Sequence, residues 1–217
     1  LFWIRRIPDY PVPVREVPEI AAGLKHSLAN RPLRNFSLYL FGLNLFGYAT
    51  VPAALLYLKT VLNVEDNILI LFSAASLAGM LTGYRAMPFL LRRIASPRLL
   101  LLLHLGYAAA ALLLFAIRSE TCAELLLAGG ALALHSFATA AISVIASAEM
   151  MNLARPGNKT MAMAFSGALF YGGYGLSRVI GAFLLGANFF TGENFPRFFL
   201  AGAIALLGIL PFHYRGT

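Results

Sequence analysis

Six long stretches of the chain carry almost no charge: Phe36–Leu58, Asn67–Tyr84, Leu99–Ile117, Leu125–Ala148, Thr160–Ala187 and Phe198–Tyr214. Crossing a hydrocarbon core as a helix takes ~20 mostly apolar residues. Each stretch is read as one crossing. The connections 59–66 and 118–124 are short, which suits antiparallel neighbours in a bundle. The expected fold is an all-α membrane protein: a six-transmembrane-helix bundle over residues 35–217, preceded by a linker over 1–34. No solenoid-type repeat interrupts this pattern.

The linker holds Pro8, Pro11, Pro13, Pro18 and Pro32. Prolines this dense break regular structure up to Val17. Between Pro18 and Asn30, Ile20, Leu24 and Leu28 recur at helical spacing and predict a short amphipathic helix on the membrane surface. Ahead of it, Leu1-Phe2-Trp3 runs into Arg5-Arg6. It reads either as the end of a preceding membrane helix or as a short interfacial anchor. The start looks like part of something longer.

Basic residues orient the bundle. The linker holds Arg5, Arg6, Arg15, Lys25, Arg31 and Arg34. The second-to-third connection adds Arg85, Arg92, Arg93 and Arg98, the fourth-to-fifth adds Arg155 and Lys159, and the tail adds Arg215. Thirteen of the seventeen cations thus lie on one side, and only Lys59, Arg118 and Arg197 on the other. The positive-inside rule makes both ends cytoplasmic in a multi-pass protein of the cell (inner) membrane.

Composition agrees and excludes alternatives. Hydrophobic residues make up 59% and charged residues 12%, against ~25% charged in soluble domains. The net charge of +8 reads as basic loops, so the partner expected is a lipid bilayer and not a nucleic acid. A single cysteine, Cys122, excludes an intrachain disulfide. The four histidines are scattered, which argues against a metal site. A rhomboid-type protease needs Gly-x-Ser-Gly, and Ala164-Phe165-Ser166-Gly167 lacks the first glycine. No glycine loop with a lysine cradles phosphate. Neither enzymatic activity nor a cofactor is expected.

The polar positions inside the spans carry the candidate chemistry. In the fifth span Gly167, Tyr171, Tyr174, Arg178 and Gly181 recur at three and four, so they share a helical face. An arginine facing lipid is costly, so this face should meet protein, water or a ligand. The first span places Asn44 and Tyr48 near mid-depth, with Pro52 one turn later to kink the helix. That signature fits a cavity, and equally a helix-to-helix hydrogen bond with a structural proline. Ser73, Ser76 and Gly79 of the second span suit close helix packing. The third span is nearly featureless Leu and Ala, read as peripheral or lipid-facing, with His104 at the interface. In the fourth, His135, Thr139 and Glu149 share one face, and Ser136, Ala140, Ser143 and Ser147 another. His135 can bind substrate, take up a proton, or be a neutral histidine satisfied by a neighbour. Glu149 is expected to pair with the basic loops.

Several segments are similar to the C-terminal half, helices 7–12, of major facilitator superfamily (MFS) transporters. Arg5-Arg6-Ile7-Pro8-Asp9 and Asn30-Arg31-Pro32-Leu33-Arg34-Asn35-Phe36 resemble the linker between halves and the entry to helix 7. Tyr57 to Val64 resembles the exit from that helix. Leu90 to Arg98 sits where the family repeats its basic motif, with Arg92-Arg93 and Ala95 replacing the acid, arginine and glycine of the pattern. The resemblance implies transport of a small-molecule solute by alternating access, with this chain as one half and an N-terminal six-helix half as its partner. It implies a cavity bordered by the first, second, fourth and fifth spans, with substrate-binding residues Asn44, Tyr48, His135, Thr139, Tyr171, Tyr174 and Arg178. It also implies a cytoplasmic gate or ion pair involving Arg92, Arg93 and Glu149. The rival class is a non-transporting multi-pass bundle that serves as an assembly or receptor subunit.

Overall fold

The computed structural model describes residues 20–189, 191, 192 and 194–215, the last three by backbone alone. Residues 1–19, with the helix exit or anchor expected around Trp3, lie outside the described part. Eight helices are described: α1 (Ile20–Ala29), α2 (Arg31–Gly47), α3 (Thr50–Thr60), α4 (Asp66–Arg93), α5 (Ser96–Ala116), α6 (Cys122–Leu153), α7 (Lys159–Gly186) and α8 (Asn194–Arg215). With α2 and α3 taken together, six helical segments are long and apolar enough to cross a membrane. The protein is a multi-pass helical membrane protein.

The helices outrun the apolar stretches. The expected second span ends at Tyr84, but α4 continues to Arg93 through Pro88. Charge ends the membrane crossing without ending the helix, and Leu90 and Leu91 still pack on the core. Arg92 and Arg93 then lie in the last turn, where cations favour the helix dipole. Likewise α2 starts at Arg31 with Pro32 in its first turn, a position where a missing N–H costs nothing.

Helix α1 forms as expected, but its packing face is not its apolar one. Gly23 and Ser27 are buried, while Ile20, Leu24 and Leu28 are exposed. Asn158, at the start of α7, donates through Nδ2 to Gly23 O (3.0 Å) and Ser27 Oγ (3.1 Å). Asn30, in the corner between α1 and α2, donates to Leu153 O at 2.8 Å.

Close approaches hold the bundle together. α4 lies against α6 and α2 against α7. At the first contact a Cβ on Gly83 would stand 2.6 Å from Phe137 O, and at the second a Cβ on Gly173 would stand 2.6 Å from Phe41 O. Serine pairs bridge the same two interfaces: Ser76–Ser136 at 2.5 Å and Ser37–Ser166 at 2.8 Å. Such bonds average ~0.6 kcal/mol between membrane helices, so the tight backbone packing matters more.

The packed pairs have an internal symmetry. Exchanging α2–α3 with α6, α4 with α7 and α5 with α8 maps α4·α6 onto α7·α2 and α5·α6 onto α8·α2, and leaves α5·α8 in place. Consecutive crossings alternate in direction, so the two three-span units run in opposite senses.

The third span keeps an exposed apolar side, with Leu102, Leu105 and Leu112, but it is not lipid-facing all round. One side of α5 is buried, from Leu99 through Tyr107 and Ala111 to Leu114. His104 is wholly buried: its Nε2–H donates to Leu206 O of α8 (2.8 Å), and its Nδ1 accepts from Tyr39 Oη of α2 (2.8 Å). A helix apolar all round fits either lipid or core, and here alanines let α6 and α8 close on it.

Candidate functional site

The site begins at a fault in the first span. Pro52 has no N–H for the carbonyl of Tyr48, and the helix kinks at Tyr48–Ala49, where α2 passes into α3 with both residues still in helical torsions. This kink lies near the middle of the Arg31–Thr60 crossing. It also separates two apolar cores. One holds Leu40, Leu43, Leu103 and Ile142, and the other Ala54, Leu58, Leu114 and Leu132.

His135 closes the fault. It is buried on α6, and its Nε2–H donates to Gly47 O at 2.8 Å. A carbonyl only accepts, so this contact fixes the tautomer. The ring stacks on Tyr107 with centroids 4.5 Å apart. Tyr107 donates to Thr139 Oγ1 (2.9 Å), which donates to His135 O (2.9 Å). Gly47 has no Cβ, which lets the Tyr107 ring close against the kink. His135 Nδ1 is buried without a partner.

Asn44, one turn before the kink, is also buried. Its Nδ2 donates to Phe170 O of α7 at 3.0 Å, and its Oδ1 has no partner. Asn44 and His135 thus brace helices instead of facing open space.

The open chemistry sits on α7. Ala162, Ser166, Phe170, Gly173 and Ser177 form its buried face. Tyr171 and Arg178 are exposed and Tyr174 half-buried, on the face that the three-and-four spacing predicts. Arg178 Nη2 donates to Tyr48 Oη at 2.6 Å, and the guanidinium carbon lies 5.0 Å from the Tyr48 ring centre. Tyr48 meets the Tyr174 ring edge-on at 4.3 Å, and Tyr174 meets Phe170 edge-on at 5.2 Å.

These rings lead into a groove of about 490 Å³, lined by Tyr84 of α4, by Thr139, Ser143, Val144 and Ser147 of α6, and by Phe170, Tyr171 and Tyr174 of α7. A second groove of about 220 Å³ lies between α3 and α7 and is lined by Pro52, Ser177, Arg178 and Gly181. Arg178 lines the second groove, and Tyr48, which it touches, packs on Tyr174 of the first.

Of the residues singled out in the sequence, Tyr48, Thr139, Tyr171, Tyr174 and Arg178 come together around this surface. Asn44 and His135 lie behind it. Ser143 and Ser147, which the sequence placed on one polar face of the fourth span but not among the substrate-binding residues, join it, as does Tyr84, which was not singled out. Arg92 and Arg93 are exposed and Glu149 half-buried. Among the described residues no ion pair joins Glu149 to either arginine; the salt bridge there is Lys59–Asp66. No three His, Cys, Asp or Glu side chains among the described residues come together as a metal site requires.

No family model matches the chain, and no curated protein and no solved structure matches it.

Proposed function

We propose that the protein carries a small solute across a cell membrane by alternating access, as part of a secondary transporter of the MFS type. The observation that carries this reading is the kinked mid-membrane helix, whose Tyr48 joins Arg178 to the rings of a hydroxyl- and ring-lined groove. Irregular helices near the bilayer midplane are a recurring feature of transport sites.

In this reading the α1 end is cytoplasmic, on the evidence of the cation asymmetry. Tyr48, Tyr171, Tyr174 and Arg178 contact solute, with Thr139, Ser143 and Ser147 along its path. The open faces of α4 and α7 would meet a second six-helix half. The Arg92–Arg93 end of α4 and Glu149 would form a cytoplasmic gate once that half is engaged.

Accessibility tests this reading. Ser143→Cys in a Cys122→Ser background is labelled with membrane-impermeant thiol reagents from each side of sealed vesicles, using the full-length protein. Alternating access makes Cys at 143 reactive from both sides, in proportions that a transported solute shifts. Reactivity from one side only, unchanged across a solute library, would favour a non-transporting bundle.

A further inference from the structure

Long basic side chains in a membrane span ordinarily carry their charge to the nearest interface. Arg178 does not. Its Cα lies about 8 Å beyond the midpoint of α7, taking 1.5 Å per residue. Helical side chains lean toward the N-terminus, and here that direction is inward. Tyr48, at the mid-span kink, holds the guanidinium there by the hydrogen bond to its Oη.

That cation has no internal counter-charge among the described residues. Arg178 forms no salt bridge. The described acids Glu65, Asp66, Glu120, Glu124 and Glu149 lie in connections or toward helix ends. One of the five guanidinium N–H groups is used on Tyr48, and the rest adjoin an exposed surface. Next to it, the Ser177 hydroxyl is buried without a partner. Keeping one charge at depth with a single neutral partner is expensive unless something negative joins it.

We infer that this site takes an organic monoanion with a planar ring, an inference that rests on the transport reading above. The carboxylate meets Arg178, in the two-pronged geometry guanidinium favours. The ring packs on the exposed Tyr171 and on Tyr174, which already form an edge-to-face array with Phe170. The hydroxyls of Tyr84, Ser143 and Ser147 receive polar substituents. One cation matches one negative charge; a second would be left unpaired. No carboxylate lines the groove, so an organic cation finds no partner there.

A charge series on one ring tests this. Binding of radiolabelled benzoate, benzamide and benzylammonium to the full-length protein in nanodiscs is measured at equilibrium. Benzoate should bind at least ~10-fold tighter than its neutral isostere, the worth of one charged hydrogen bond, and benzylammonium weakest. Arg178→Gln should bring benzoate down to the benzamide level. Arg178→Lys should retain part of the preference and shows that the fold tolerates change at this position. Equal binding of the three, no binding of benzoate, or an unchanged preference in Arg178→Gln overturns the inference. Uptake into proteoliposomes separates it from the transport reading. Benzoate that binds but never accumulates sinks transport and leaves the anion site. Benzamide taken up as fast as benzoate, in wild type and Arg178→Gln alike, does the reverse.

Discussion

His135 and Gly47 are joined across two helices by one hydrogen bond of 2.8 Å, and that bond satisfies a carbonyl at the end of α2. Removing the donor leaves this carbonyl without its side-chain partner in a buried setting, which costs ~1–3 kcal/mol. His135→Ala should therefore destabilise the protein by about that amount or more, because the stacking on Tyr107 goes with it. His135→Gln keeps an N–H and should recover part of the loss. Unfolding by sodium dodecyl sulfate, followed by circular dichroism, gives the comparison. An alanine variant as stable as wild type would show that the kink needs no brace.

The glycines of α7 divide into two kinds, and substitution should separate them. A methyl at Gly173 would lie 2.6 Å from Phe41 O, a backbone atom that can yield only if the helices part. Gly173→Ala should cost ~1–3 kcal/mol, the usual range for overpacking. Gly175 has nothing within 4 Å of the added atom. Gly175→Ala should be neutral or gain up to ~1 kcal/mol from helix propensity. The same detergent titration reads both, and equal effects at the two positions would refute this packing of α2 on α7.

Hydropathy made the six crossings legible because the bilayer imposes one strong rule on length and charge. The three-and-four spacing from Tyr171 to Arg178 likewise marked an open face, since a charge there had to avoid lipid. Pro52 announced the kink, which falls at Tyr48–Ala49, by the carbonyl four residues back that the proline leaves free. What the sequence concealed depends on which helix meets which. The leucines and alanines of α5 carry no preferred side, so nothing local separated lipid from core, and His104 was misjudged with them. Two polar groups in charge-free spans, Tyr39 and His104, were the clue to a buried bond. Ser143 and Ser147 became groove residues only once α4, α6 and α7 were assembled.

The docking of α1 makes a prediction about exposure. Asn158 and Asn30 supply the side-chain bonds that fix α1 to α7 and to the end of α6. Losing both should raise the population of detached α1 by roughly 10-fold or more, at ~1 kcal/mol net for each bond. Proteolysis follows the open population when reclosing is fast. Asn30→Ala/Asn158→Ala should thus be cut faster by trypsin at Lys25, while the unfolding of the bundle changes much less. Unaltered cleavage would mean that another contact holds α1.

Tyr48 separates binding from positioning at the proposed site. Tyr48→Phe keeps the ring beside Tyr174 and removes only the oxygen that holds Arg178. The guanidinium is then free to swing toward the interface, as long basic side chains do. Transport should fall about 10-fold for the loss of one charged hydrogen bond, with little change in folding stability. Arg178→Ala should abolish transport, again with folded protein retained, since the side chain is exposed and unpaired with any acid among the described residues. Rates of solute uptake in proteoliposomes, set against detergent unfolding of the same preparations, check both variants. Full uptake by Arg178→Ala would remove Arg178 from the transport path. Full uptake by Tyr48→Phe alongside a dead Arg178→Ala would keep the cation but deny that Tyr48 positions it.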